Sequence, residues 1–144
     1  MGKRRKARES TLKILFQLEF NDSQPENISD SFWQHRRVSS EIKEYCLWLL
    51  KGILSHRESI DRLIQSVSQH WRLDRMALVD RNVMRIAVYE LLYEENIAPA
   101  IIIDEAIEIA RKYSSDEAAT FVNGILDAVR KKIEKNKTTS EEKK

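Results

Sequence analysis

Five cations stand within six residues near the start of this chain: Lys3, Arg4, Arg5, Lys6 and Arg8, with only Ala7 among them. The chemistry open to such a cluster is recognition of a polyanion. Each cation can neutralise a phosphate and release its counterion, and arginine adds a planar fork that matches phosphate and base edges. Arginine-rich segments commonly order on RNA. The same composition also fits a basic stretch that only aids solubility. Phe16 follows Arg8 by eight residues, about two helical turns, which puts the two on neighbouring faces of one helix. An aromatic beside a cationic groove suits unstacked bases, and the same periodicity suits a core residue.

Residues for bond-making chemistry do not assemble into a constellation. The three glycines, Gly2, Gly52 and Gly124, stand alone, so no phosphate-cradling loop is present. His35, His56 and His70 share no ligand spacing and read as surface or helix-end residues. Cys46, the single cysteine, lies in an apolar periodic run and reads as a small core hydrophobe rather than a nucleophile. Asp104, Glu105 and Glu108 read as a solvated helix face. The expectation is a protein that is not an enzyme and uses no metal or cofactor.

Charge is unevenly distributed. Residues 1–8 carry five positive charges and no acid, and residues 130–144 carry seven basic and three acidic groups. The 121 residues between them hold 13 basic and 20 acidic side chains, a net of −7. A basic arm on an acidic body suggests two partners of opposite sign, a polyanion for the arm and a basic protein for the body. One cysteine allows no internal disulfide, no apolar run approaches the roughly 18 residues of a membrane span, and the basic start lacks a secretory apolar core. These features predict a soluble cytoplasmic protein with no membrane partner.

The elements that must position these residues are helical. Only three Gly and two Pro punctuate 144 residues, too few for a β-sandwich with its turn every 8–12 residues or so. Apolar spacings of three and four predict helices over Ala7–Phe20, around Ser29–Arg37, from Ser39 or Ser40 to near Gly52, and onward through Ile60–Val67 with a junction near His56. Asn21 to Pro25 reads as the stop of the first. Leu78–Glu94 is apolar over so wide an arc that it should be central. Another helix follows the Asn96–Pro99 turn and runs to Tyr113. Ser114 and Glu117 have the spacing of a capping box for a last helix to about Lys132. Gly124 interrupts that helix, at about 1 kcal/mol relative to Ala, and is easier to understand if a backbone or ligand comes close. The expected layout is one domain over residues 1–133, with the arm at 1–8 and a disordered charged tail at 134–144.

Four blocks, Arg4-Arg5-Lys6-Ala7-Arg8-Glu9 with Leu15-Phe16-Gln17, the stretch Val79–Leu91, the stretch Ile103–Tyr113, and Phe121-Val122-Asn123-Gly124-Ile125-Leu126-Asp127, together closely resemble the bacterial transcription antitermination factor NusB family. The resemblance spans about residues 4–130. It implies an all-α bundle of about seven helices in two packed subdomains. It also implies binding to the boxA element of nascent RNA, as a heterodimer with the basic ribosomal protein NusE. That complex would act on RNA polymerase with NusA and NusG to suppress termination. By position, the resemblance assigns RNA contacts to Arg4, Arg5, Lys6, Arg8, Phe16, Phe121 and Asn123, and an affinity-tuning role to Glu117. Lys6 departs from a frequent arginine, keeping the charge and losing the fork. Asp80, Arg81 and Arg85 fit either an RNA role or a structural ion-pair set. Two rival readings are a helical protein-interaction module with an incidental arm, and the RNA-binding region of a ribosomal-RNA cytosine methyltransferase, which would need a cofactor domain beyond these 144 residues. Whether the free chain is a monomer or a homodimer stays open.

Overall fold

The computed structural model describes residues 2–21, 24–34 and 36–142, the last five as backbone only. They form α1 (Lys3–Glu19), α2 (Pro25–Trp33), α3 (Ser40–Ser55), α4 (Arg57–Val67), a 3₁₀ turn (Leu73–Arg75), α5 (Leu78–Tyr93), α6 (Pro99–Tyr113) and α7 (Asp116–Glu142). The class is all-α, as the scarcity of Gly and Pro predicts. α1 packs on α3 with α2 at its flank, and α4 to α7 form a second group in which α6 and α7 are the most extensive pair. α5 touches α1, α3, α4, α6 and α7. Every residue from Asn82 to Leu91 is buried, so α5 is the central helix its wide apolar arc predicts. One hydrophobic cluster runs through both groups.

Helix starts show how local chemistry sets the boundaries. Pro25 does not merely stop α1. It begins α2, where its missing N–H would have had no partner anyway, and Pro99 begins α6 in the same way. That shifts α2 four residues earlier than its aromatic pair suggests. Ser39 caps α3, accepting from the Ile42 amide at 3.4 Å. The last helix is capped by Ser115, which accepts from the Ala118 amide at 3.0 Å. The Ser114–Glu117 capping box is therefore not the one used, because Ser114 closes α6. Where the sequence predicts a disordered tail from Glu134, α7 continues to Glu142. Lys and Glu are good helix formers, and the i,i+4 pairs Asp127–Lys131 and Arg130–Glu134 lead into that segment.

Cys46 is fully buried, with its Sγ 3.2 Å from the Thr11 hydroxyl. Burial pushes its thiol above the ordinary value, which keeps it protonated and inert, in the core role read for it. His56 ends α3 and stacks on Tyr93, with centroids 4.9 Å apart. His70 is exposed beyond the end of α4, and His35 lies outside the described residues. No helix among the described residues is long and apolar enough to cross a membrane.

Candidate nucleic-acid interface

The basic arm is the first two turns of α1, which starts at Lys3 rather than Ala7. Four cations at a helix N-terminus oppose the macrodipole, and no side chain caps this end. Glutamates from three other helices offset that. Lys3 reaches Glu41 of α3 at 3.0 Å, and Arg4 reaches Glu94 at the end of α5 at 3.2 Å. Arg5 donates to Glu105 of α6 at 2.6 Å, a hydrogen bond that raises the guanidinium's already high pKa. Gly2 stands just before the helix at φ +149°, a backbone region essentially restricted to glycine.

Arg8 is placed differently from the sequence reading. It is only 3% exposed and meets Glu90 through two parallel bonds, Nε to Oε1 at 2.7 Å and Nη2 to Oε2 at 2.8 Å. The Tyr45 hydroxyl lies 2.7 Å from the same carboxylate, and burial together with that charge pushes the phenol well above its usual range. Arg8 is thus held inside the fold by a carboxylate from α5. Glu105, read as part of a solvated face, is half-buried under Arg5, while Asp104 and Glu108 are exposed. Part of the body's acidic excess therefore serves its own arm.

Arg85 is buried too. It makes a bidentate pair with Asp61 at 2.7 and 3.0 Å and donates to Asn82 at 2.9 Å, which fits the structural alternative for the Val-Asp-Arg block. Asp80 is buried and Arg81 half-buried beside it.

Phe16 is exposed (43%) on α1 and leans on Phe20, with centroids 5.1 Å apart. Asn123 and Glu117 are exposed on α7, and Phe121 is half-buried there. Among the described residues no ring contact joins Phe16 to Phe121. The two ends are linked instead through Glu9, which accepts from Lys112 at 2.9 Å and from the Tyr113 hydroxyl at the end of α6. Those bonds tie α1 to the end of α6, three residues before α7 begins. Burial works against the Glu9 charge, but these two donors hold its carboxyl below the usual range. A depressed carboxylate stabilises the fold above the unfolded value and loses that contribution as pH falls through the folded one. Glu9→Gln is therefore expected to lower thermal stability at pH 7 and to flatten its loss below about pH 4.5. Identical acid limbs for the two proteins in a pH series of melting temperatures would remove Glu9 from this role.

Sequence reasoning missed Trp71. It is 62% exposed and stands edge-on to Phe121, with centroids 6.0 Å apart. Gln65 pins its loop, donating to the Trp71 carbonyl at 2.9 Å and accepting from the Leu73 amide at 2.8 Å. A tryptophan beside Arg72 in a polar break between helices was the available signal, since rigid exposed aromatics near cations are stacking platforms.

The NusB family model matches residues 5–131. The transcription antitermination protein NusB of Thermodesulfovibrio yellowstonii is 37% identical over 139 residues, covering 90% of this chain and 92% of its own. The solved structure of T. maritima NusB is 40% identical, covers 89% of this chain and 90% of its own, and superimposes with a TM-score of 0.81. A chain from a crystal structure of the antitermination factors NusB and NusE in complex with double-stranded RNA has the same TM-score at 26% identity, covering 91% of this chain and 98% of its own. These matches show that the chain belongs to the NusB family of RNA-binding transcription antitermination proteins.

Proposed function

We propose that this protein binds boxA-type RNA in the cytoplasm as a heterodimer with a NusE-like ribosomal protein. In this reading it delivers that RNA to an antitermination complex of RNA polymerase with NusA and NusG. The observation that carries the reading is the likeness over nearly the whole chain to one solved together with NusE and RNA. On the RNA side we assign Arg4, Arg5, Lys6 and Phe16 of α1 with Glu117, Phe121 and Asn123 of α7. Arg8 supports them from below. Lys6 is exposed and makes no ion pair among the described residues, so it is available as it stands. Arg4 and Arg5 must exchange Glu94 and Glu105 for phosphate, which favours a strong polyanion over a weak one.

Gel shifts with a boxA-type RNA and a scrambled control, with and without the NusE-like protein, test this. Tighter binding of the first RNA, strengthened by the partner, is expected. Arg4→Ala with Arg5→Ala should make the salt dependence shallower by about 0.7 units for each phosphate contact removed from a single strand. Equal affinity for both RNAs, unaffected by the partner, would sink the proposal.

A further inference from the structure

We propose that the groove between α1 and the C-terminal end of α2 is a second phosphate track for the same RNA, one that leaves the arm at Lys6 and runs on past Lys13 to Arg36 and Arg37. This rests on the RNA-binding function proposed above. The groove encloses about 370 Å³ and is lined by Lys6 and Lys13 from α1 and by Arg36 and Arg37 just past α2, with Phe32 and Trp33 forming its wall. All four cations are exposed. None makes an ion pair with a carboxylate among the described residues, whereas Lys3, Arg4, Arg5 and Arg8 each do. The one acid in the lining, Glu9, is already occupied by Lys112 and Tyr113. The positive charge of this end of the molecule that no ion pair holds thus faces the α1–α2 groove, where the single carboxylate, Glu9, is bound to Lys112 and Tyr113 and, of the groove's cations, feels only the charge of Lys13.

The spacing fits a nucleic-acid strand. Lys6 and Lys13 are seven residues apart on α1, so they share a face about 10 Å apart. That is about the rise of three nucleotides in a stacked strand. The Arg36 guanidinium lies 3.9 Å over the Phe32 ring and donates to the Phe32 carbonyl. One face of this planar cation is covered, and the exposed side chain leaves the other open to a base. Trp33 is half-buried, its ring 6.0 Å from the Lys43 ammonium, and its Nε1 is buried without an acceptor. Flat cations and aromatic faces lining one track suit unpaired bases between phosphates better than they suit an acidic peptide.

The test uses the full chain with Arg36→Ala and Arg37→Ala together, and Arg36→Lys with Arg37→Lys as a charge-keeping control. Binding to the boxA-type RNA and its scrambled control is measured across a salt series. Losing two phosphate contacts should make the slope shallower by about 1.4 units for a single strand, weaken both RNAs by the same factor, and leave the circular dichroism spectrum and melting temperature unchanged. The lysine pair should restore the slope. An unchanged slope in the alanine pair, with the unaltered chain binding normally, overturns the track and leaves the proposed function standing. Failure of the unaltered chain to bind either RNA overturns both. Polyglutamate that binds the unaltered chain more tightly than the RNA, and loses that affinity in the alanine pair, reassigns the groove to an acidic protein and overturns the RNA track.

Discussion

Arg8→Ala is expected to lower the stability of this protein by about 3–5 kcal/mol. The guanidinium it removes is the bidentate partner of Glu90, which is 1% exposed in the last turn of the central helix. Without Arg8 the carboxylate keeps only the Tyr45 hydroxyl, and a buried charge with one neutral donor is costly. The loss belongs to the broken pair and is not the net worth of the pair. Replacing both partners by apolar residues of similar volume should recover most of it, because the intact pair already bears the desolvation of two ions. Arg8→Lys keeps the charge, loses the fork and should fall between. Urea unfolding at constant slope measures all of these. A contact residue for RNA behaves otherwise, with Arg8→Ala leaving the midpoint in place and weakening RNA alone. That result would return Arg8 to the surface role its position in the arm suggests.

The same substitution at two helical glycines is expected to have opposite signs. A Cβ at Gly52 would stand 1.9 Å from Cζ and 2.1 Å from Oη of Tyr89. The ring is itself held between Trp48 and Tyr93, each with its centroid 4.9 Å away. It is buried, so it cannot swing clear without opening that stack. Overpacking of this kind costs about 1–3 kcal/mol, more than the gain of about 1 kcal/mol from replacing a helical glycine. Gly52→Ala should therefore lower the melting temperature, and the same change in a Tyr89→Ala background should raise it. At Gly124, outside its immediate neighbours and its own turn of helix backbone, no described atom comes within 4 Å of the added carbon. Gly124→Ala should stabilise α7 by about 0.5–1 kcal/mol. If the RNA approaches α7 beside Asn123, that variant melts higher and binds RNA more weakly. Stabilisation at both glycines would show that Tyr89 is not fixed.

The helices were legible from spacing, and the centrality of α5 from the width of its apolar arc. The pairing of charges was not. Composition shows that cations lie at residues 3–8 and acids in the body, but Glu41, Glu90, Glu94 and Glu105 are 38 to 100 residues away along the chain from Lys3, Arg8, Arg4 and Arg5. No local pattern announces such partners. Hence Arg8 read as an outward contact and the acidic body read as a surface for another protein, when part of that acidity holds the arm. Gly52 read as a helix end for the same reason, since a sequence shows the missing side chain and not the ring that crosses it. Trp71 escaped notice because its neighbour Phe121 is fifty residues on and only the fold makes them touch. The site residues carried by a quoted motif were placed on α1 and α7, and those created by juxtaposition, the α1–α2 groove above all, emerged only with the backbone in place.

The reach of those arm contacts also orders how the molecule can be made. A ribosome releases α1 first, yet its partners on α5 and α6 follow only after 82 to 104 further residues. Until Glu90, Glu94 and Glu105 emerge, the nascent segment is an amphipathic helix with its positive charge unanswered, and contacts of such long sequence separation are slow to close. α1 can therefore settle on α3 early, while the arm at its start is secured only once α5 and α6 have emerged. During that interval the nascent chain exposes its whole arm, including the Arg8 that the finished protein conceals.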